Sequence, residues 1–199
     1  MATLNICSDA LTKGIISDCT TQPIGGIEQR VWIFKRGDHT IDFKTGTSNV
    51  IELITNNATK KSYKGVAVDG KAILRVGGEL NIVENRANTW NHKFNFENFE
   101  FAAADILNLD ALEDIFIVAE RIDKATDGDG TFFALGVKNG LRKTAGTWMS
   151  NENNGVCAIE MIGTSEPVKE YTVMAAPSQG QSVYAATLAM LVATETVPV

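Results

Sequence analysis

Two histidines and one acidic stretch supply the side chains in this sequence that could act as general bases or metal ligands. His39 and His92 are the only histidines among the 199 residues, so a histidine-based catalytic or metal-binding cluster has few possible members. His92 alternates with Trp90 and Phe94 along one apolar side, which predicts a hydrogen-bonded histidine in a core or an interface. His39 follows Asp38 in a turn and is predicted to be an exposed loop residue.

The stretch Asp127-Gly-Asp-Gly130 places carboxylates at alternate positions, and such carboxylates can converge on a calcium ion. A twelve-residue calcium loop that begins at Asp127 would need glycine at the position of Phe132 and glutamate at the position of Lys138. Because neither requirement is met, we interpret the stretch as the tip of a hairpin and predict no metal site.

Other catalytic signatures are missing from the sequence. There is no Gly-x-Ser-x-Gly, no phosphate-binding Gly-x-x-x-x-Gly-Lys-Ser/Thr and no Gly-x-Gly-x-x-Gly. Cys7, Cys19 and Cys157 are odd in number and widely separated, which indicates neither a disulfide framework nor a zinc site. The sequence therefore predicts no catalytic residues, no cofactor and no enzymatic function.

A small basic and aromatic patch lies in the segment 56–64. Its interface candidates are Asn57, Lys60, Lys61, Tyr63 and Lys64. Lysines around an aromatic ring could contact nucleic acid, but the formal net charge of −6 and the pI near 5.0 argue against a protein that binds DNA by neutralising phosphates. A solvated hairpin tip or a surface for an acidic partner is the favoured interpretation.

The elements that would position these residues are mainly strands. In residues 89–97, Trp90, His92, Phe94 and Phe96 alternate with polar side chains, which predicts a strand with one wet face in an antiparallel sheet. Further strand candidates recur at short spacing between turn residues. A 44% hydrophobic content is enough for a real core. The predicted fold is mainly β, an antiparallel β-sandwich or small barrel.

Local signals also predict how neighbouring strands are connected. Asp69-Gly70 is the strongest hairpin signal, joining residues 64–68 to 71–75, and Gly77-Gly78 separates two further strand candidates. The segment 138–140 is predicted to be another hairpin turn. Residues 102–114 are predicted to form one short flanking helix, because apolar side chains recur at three-residue spacing, and residues 115–119 a buried strand.

The two ends of the chain differ from the middle. We divide the chain into an amino-terminal arm (1–26), a β domain (27–174) and a carboxy-terminal arm or last strand (175–199). Glu195 is the only charged side chain in the last 25 residues, so residues 183–192 should pack as a last strand or against a neighbouring subunit. The interface candidates in this segment are Val183, Tyr184, Leu188 and Leu191.

Two features of the termini bear on where the chain works. The amino terminus lacks a basic region followed by an apolar stretch, so no secretory signal is predicted and the chain is expected to stay in the cytoplasm where it is made. The longest nearly apolar run, residues 183–193, is shorter than the roughly 20 residues that cross a bilayer. No membrane insertion is predicted.

Two stretches resemble tail tube proteins of long-tailed bacteriophages, particularly phages of Bacteroidetes bacteria. The first is residues 18–34, where a cysteine and a Pro-x-Gly-Gly turn lead through an arginine into an apolar strand. The second is residues 133–141, followed by an Asn-rich loop, residues 155–163 and Pro167-Val. Together they cover less than a third of the chain, and the similarity is one of organisation.

The resemblance implies a β-sandwich or small barrel with a flanking helix, assembled into rings, typically hexameric, that stack into a tube in the virion tail. Its partners would be other copies of itself and other virion proteins, with DNA as a passing, non-specific cargo. An acidic lumen that repels phosphate is compatible with the net charge. The alternatives are another virion part, such as a head decoration or connector protein, and a carbohydrate-binding β-sandwich with Trp148 as the lone candidate aromatic.

Overall fold

The computed structural model describes residues 26–66, 72–82, 84, 87–98, 112–123, 130–148 and 157–195. Within these residues, eleven strands and one α-helix follow one another along the chain. The strands are β1 Ile27–Lys35, β2 His39–Phe43, β3 Val50–Asn56, β4 Tyr63–Val66, β5 Ala72–Asn81, β6 Thr89–Asn98, β7 Ile115–Arg121, β8 Phe132–Leu135, β9 Arg142–Trp148, β10 Cys157–Glu166 and β11 Tyr171–Val173, and the helix is α1 Val183–Thr194.

The strands form two sheets, and the predicted β-sandwich is confirmed. The large sheet has the order β2-β3-β11-β8-β7-β1-β4, and the small sheet has the order β5-β6-β10-β9. All pairs are antiparallel except β3 with β11, which are parallel. One face of the large sheet packs against the small sheet, and its other face packs against α1. The molecule therefore has three layers with the large sheet in the middle.

The central position of β7 explains its composition. Six consecutive residues from Ile115 to Glu120 are buried, with Ile117 and Ala119 facing the small sheet while Phe116 and Val118 face α1. A strand covered on both faces needs apolar side chains on both, so it loses the alternation seen in half-exposed strands. The prediction of a buried strand at residues 115–119 is confirmed.

The small sheet has one buried face and one face toward solvent. In β6, His92, Phe94 and Phe96 are buried, whereas Asn91 and Asn95 on the opposite face are only half-buried. The predicted strand with one wet face is confirmed. Its neighbours are β5 on one side and β10 on the other, so the most regular strand in the sequence lies inside the sheet.

The predicted hairpins between sequential strands are wrong in three places. β4 pairs with β1 in the large sheet and β5 pairs with β6 in the small sheet, so the segment containing Asp69-Gly70 connects two sheets. Gly77 and Gly78 lie inside the continuous strand β5. Residues 138–140 connect β8 in the large sheet to β9 in the small sheet. In each place long-range packing, and not the local turn signal, decided which strands paired.

The α-helix among the described residues lies at 183–194, a segment for which no helix was predicted. Most of the predicted helix at residues 102–114 lies outside the described residues, and its last residues, 112–114, are not helical. The expectation that residues 175–199 contain a last strand is wrong, because residues 183–194 form α1. Alanine, leucine and methionine favour the helix, and the Ser182 hydroxyl caps it by accepting a hydrogen bond from the Ala185 amide at 3.2 Å. The segment is apolar on all sides, so no helical periodicity marks it.

Candidate functional site

The two groups of interface candidates, in segments 57–64 and 183–191, lie next to each other. The backbone amide of Ser62 donates a hydrogen bond to the Thr194 carbonyl at 2.8 Å, and the hydroxyls of the two residues lie 2.8 Å apart. The Asn56 side-chain amide donates to the same carbonyl at 3.0 Å. Strands β3 and β4, which lie near opposite ends of the large sheet, therefore both reach the last turn of α1. The large sheet curves around the helix.

The segment before and at the start of β4 forms an exposed basic edge. We call Lys60, Lys61, Tyr63 and Lys64 the β4 edge. Tyr63 is 52% exposed, and the Lys61 ammonium lies 5.8 Å from the centre of its ring. Lys60 Nζ is 3.7 Å from an Asp38 carboxylate oxygen, a separation typical of a weak surface pair. The predicted exposure of this patch agrees with its position.

Asn57 and Lys64 also make contacts within the chain. Asn57 is exposed, accepts a hydrogen bond from the Thr40 hydroxyl at 2.7 Å and donates to the Gly37 carbonyl at 3.4 Å. Lys64 lies beside α1, with Nζ 3.8 Å from a Glu195 carboxylate oxygen and 6.0 Å from the centre of a Trp32 ring. Lys64 therefore contributes to holding the helix end as well as to the basic edge.

The carboxy-terminal candidates mainly face the chain's own core. Leu191 is fully buried against the large sheet, so it is not available to a neighbouring subunit in this conformation. Leu188 and Tyr184 are half-buried in the same cluster, and Val183 is half-buried at the start of the helix. The large apolar side chain that α1 exposes is Val192, at 46%.

A buried carboxylate that the sequence analysis did not single out holds the first turn of α1. Glu120 on β7 has no exposed surface, accepts a hydrogen bond from the Tyr184 hydroxyl at 2.9 Å and forms an ion pair with Arg30. Burial lowers the pKa of the Arg30 guanidinium, but Glu120 and, to a lesser extent, Tyr184 raise it, and the net result is a raised pKa. The signal that could have revealed it is a lone carboxylate directly after five buried apolar residues.

The last turn of α1 is held by an indole. The Trp32 ring nitrogen donates a hydrogen bond to the Glu195 carboxylate at 2.8 Å, and the Arg30 guanidinium lies 5.0 Å from the centre of the Trp32 ring. In the middle of the helix, the Thr187 hydroxyl accepts a hydrogen bond from the Ala175 amide at 3.0 Å. Polar contacts thus fix the helix at its start, middle and end on its own domain.

The opposite end strand of the large sheet carries the opposite charge. We call Asp42, Phe43, Glu52 and Leu53 the β2 edge, since they lie on β2 and on its partner β3. Phe43 is 40% exposed and Leu53 is 42% exposed. A groove of about 470 Å³ separates Asp42, Glu52 and Leu53 from Ala189 and Met190 of α1. The large sheet therefore ends in a basic edge at β4 and an acidic, apolar edge at β2.

Both histidines are buried. The His92 ring accepts a hydrogen bond from the Gly136 amide at 2.9 Å through Nδ1 and donates to the Val168 carbonyl at 2.9 Å through Nε2, which confirms the predicted core histidine. The prediction for His39 is wrong, because this side chain is 6% exposed and its ring packs edge-on against Phe34. Nδ1 of His39 donates a hydrogen bond to the Lys35 carbonyl at 2.9 Å. His39 is therefore a buried packing residue at the first position of β2.

A second buried carboxylate joins the two parts of the later resemblance stretch. Glu166 accepts hydrogen bonds from the Asn139 amide at 2.7 Å and from the Tyr171 hydroxyl at 3.1 Å. Close by, the Gly140 carbonyl lies 2.7 Å from the place where a Cβ on Gly163 would be, so a larger residue would force the chains apart. Burial and the Glu166 carboxylate together raise the pKa of the Tyr171 hydroxyl. These contacts join the segments around Asn139, Glu166 and Tyr171.

Two of the remaining predictions about chemistry concern the stretch at Asp127 and the side chain of Trp148. Asp127 and the side chain of Trp148 lie outside the described residues. Among the residues that are described, no three His, Cys, Asp or Glu side chains converge as metal ligands would. In the same part of the chain, no helix has the length and apolar character needed to cross a membrane.

Comparison with models of protein families, with curated proteins and with solved structures finds no match to this chain.

Proposed function

We propose that this chain is a structural subunit of a phage virion, and specifically a tail tube protein whose copies assemble into stacked rings around a passage for DNA. The proposal places the protein in the virion tail after synthesis in the host cytoplasm. Its partners are further copies of itself and other virion proteins. The function is mechanical, so no catalytic group or cofactor is required.

The observation that carries the proposal is the position of four of the seven exposed large apolar side chains among the described residues. Phe43 and Leu53 lie at the β2 edge, Tyr63 lies at the β4 edge, and Leu80 belongs to β5, an end strand of the small sheet; their exposed fractions range from 40% to 52%. Proteins that remain monomeric usually protect end strands with charges, prolines or covering segments. Apolar end strands favour association with further copies, which bury that surface.

The charges of the large sheet suggest which edges meet. The β4 edge contributes Lys60, Lys61 and Lys64, and the β2 edge contributes Asp42 and Glu52. Contact between the β4 edge of one copy and the β2 edge of the next is head-to-tail, and such contacts generate rings when the rotation closes. The net charge of −6 supports a passage that DNA traverses without being bound, because it lacks the basic footprint of phosphate binding.

Electron microscopy and light scattering of the purified protein test the proposal. Rings or tubes of uniform diameter are expected, with a solution mass that is a multiple of the 21.5 kDa chain. A monomer that persists at high concentration, and still persists when added to purified tail-initiation complexes, would refute the proposed self-assembly.

Two charge-reversal variants test the proposed contact. The variant Lys60→Glu with Lys61→Glu should have two acidic edges, and the variant Asp42→Lys with Glu52→Lys should have two basic edges. Each variant alone is expected to remain unassembled because like charges meet, whereas an equimolar mixture should assemble with alternating copies. Arg142→Glu, which changes an exposed cation on β9, is the matched control and should assemble normally. Assembly of either double variant alone would contradict the contact.

A further inference from the structure

A cleft between the two sheets lies away from both edges of the large sheet. Its volume is about 440 Å³, within the range of ligand-binding pockets. One wall is the consecutive stretch 74–78 of β5, and the floor includes Ile27, Phe133 and Leu135, which are at most 7% exposed. The rim contains Arg75, Arg121, Lys169 and Glu170, and Ile122 at 41% exposure lies beside it. The cleft thus has an apolar floor and a mainly cationic rim.

The three cations on the rim differ in their ion pairs and in their exposure. Arg121 is fixed, because its guanidinium donates to the Glu170 carboxylate at 2.6 Å and to the Gly130 carbonyl at 3.0 Å and lies 4.5 Å from the centre of the Phe133 ring. Arg75 is 3.5 Å from a Glu97 carboxylate oxygen, and its side chain remains 64% exposed. Lys169 is exposed and forms no ion pair with the residues that the structure describes.

The backbone of β5 is accessible to an approaching chain. Gly77 and Gly78 lie inside this ten-residue strand, where glycine weakens a strand and often marks a place where another backbone comes close. A Cβ on Gly77 would have no heavy atom within 4 Å, so packing among the described residues does not explain that glycine. Over residues 76–78, β6 is the strand that pairs with β5 in the described part of the chain. In the described part of the chain β5 is the end strand of the small sheet, and Val76, Gly77 and Gly78 line the cleft.

From these features we propose that the cleft binds an extended peptide segment of a partner protein, with acidic and apolar side chains in alternation. The peptide adds as a strand beside Val76, Gly77 and Gly78, and its apolar side chains cover the floor. Its carboxylates lie near Lys169 and Arg75 on the rim. Strand addition supplies hydrogen bonds that do not depend on sequence, whereas the rim selects the charge. The site includes no residue of the β4 edge or the β2 edge, and Leu80, on the same strand β5, lies outside the cleft lining.

Fluorescence anisotropy with short labelled peptides tests this proposal. The probe is a hexapeptide of alternating valine and glutamate, and its matched control alternates valine and lysine. The acidic peptide should bind more tightly than the basic one. Its affinity should fall as sodium chloride is raised from roughly 50 to 500 mM, because the Debye length shortens from roughly 14 to 4 Å and the charges are screened. Equal affinity for the two peptides would overturn the proposal.

Variants locate the binding to the cleft. The double variant Lys169→Glu with Arg75→Glu should weaken the acidic peptide about tenfold, since two attractive charges become repulsive. Ile122→Glu places a carboxylate beside the floor and should weaken it as well. Arg142→Glu, on the opposite end strand of the small sheet, should not change the affinity. Unchanged binding to the cleft variants would overturn the proposal, and so would displacement of the peptide by an equal concentration of a thymidine hexanucleotide.

Discussion

Replacement of Leu191 by alanine distinguishes a docked helix from an arm that binds a neighbouring subunit. Leu191 has no exposed surface and belongs to the cluster between α1 and the large sheet, with Trp32 and Ile54 among its members. If α1 belongs to the folded domain of each copy, the substitution destabilises the single chain. If the segment instead packs on a neighbour, the substitution weakens assembly and leaves the isolated chain unchanged.

The expected loss of stability follows from burial. Removing a buried leucine side chain loses about 1.5–3 kcal/mol of transfer free energy, and the cavity left behind brings the usual total for Leu→Ala to about 2–5 kcal/mol. α1 is an outer layer one helix thick, so the site can partly collapse, and a loss of about 2–3.5 kcal/mol is expected. With a urea m-value of about 2 kcal/mol/M, the unfolding midpoint should fall by roughly 1–1.8 M.

The assay is urea unfolding followed by tryptophan fluorescence, since Trp32 is fully buried beside the helix and should respond to undocking. Val192→Ala is the matched control. Val192 is the next residue in the same turn and is 46% exposed, so its loss should cost less than about 1 kcal/mol. Midpoints should be measured at two protein concentrations, because association makes the apparent stability depend on concentration.

If the free energies of unfolding of Leu191→Ala and Val192→Ala agree within about 0.5 kcal/mol, α1 is not part of the core. A decrease that appears only at the concentration where the protein assembles would refute it as well, because it would place the contact of Leu191 in an interface. A large decrease for Leu191→Ala at both concentrations would support the docked helix.

Two further predictions concern groups that the core partly encloses. Tyr184→Phe removes a hydrogen bond to the buried Glu120 carboxylate and should destabilise the chain by about 1.5–3 kcal/mol. The control Tyr63→Phe, at the exposed β4 edge, should change stability by less than about 0.5 kcal/mol. Equal urea midpoints for the two variants would contradict the role of Glu120. Burial raises the pKa of the Cys157 thiol, so its thiolate should form, and its alkylation by iodoacetamide accelerate, at a higher pH than in a free cysteine. Peptide mass spectrometry reads this site separately from Cys7 and Cys19, and a midpoint at or below that of free cysteine would contradict the prediction.

The sequence was informative wherever a local pattern and the final packing agreed. The alternation in β6 identified both a strand and its buried side, and the partners of β6 did not alter that pattern. Likewise, the apolar run at the start of β7 indicated burial on both faces before any neighbour was known. His92 is part of the same pattern, because a histidine between buried aromatic residues must satisfy both ring nitrogens within the protein.

The sequence was less informative about the candidate surfaces. The exposed lysines and Tyr63 of the β4 edge could be chosen from composition alone, since charged side chains seldom enter a core. The β2 edge could not, because the exposure of Phe43 depends on β2 being the last strand of its sheet. The cleft beside β5 could not be predicted either, because it depends on the distance between the two sheets.

Residue order by itself determined the β class, the buried side of β6 and the burial of β7, because side-chain alternation and apolar content are local properties of the chain. Only the tertiary structure decided that β4 and β5 separate into different sheets, since the pairing energy of a strand comes from neighbours far away in sequence. It also decided that the uncharged segment 183–194 is a helix on its own domain. An all-apolar segment carries no periodicity, and its position is set by Glu120, Trp32 and Ser62, which are supplied by three distant parts of the chain.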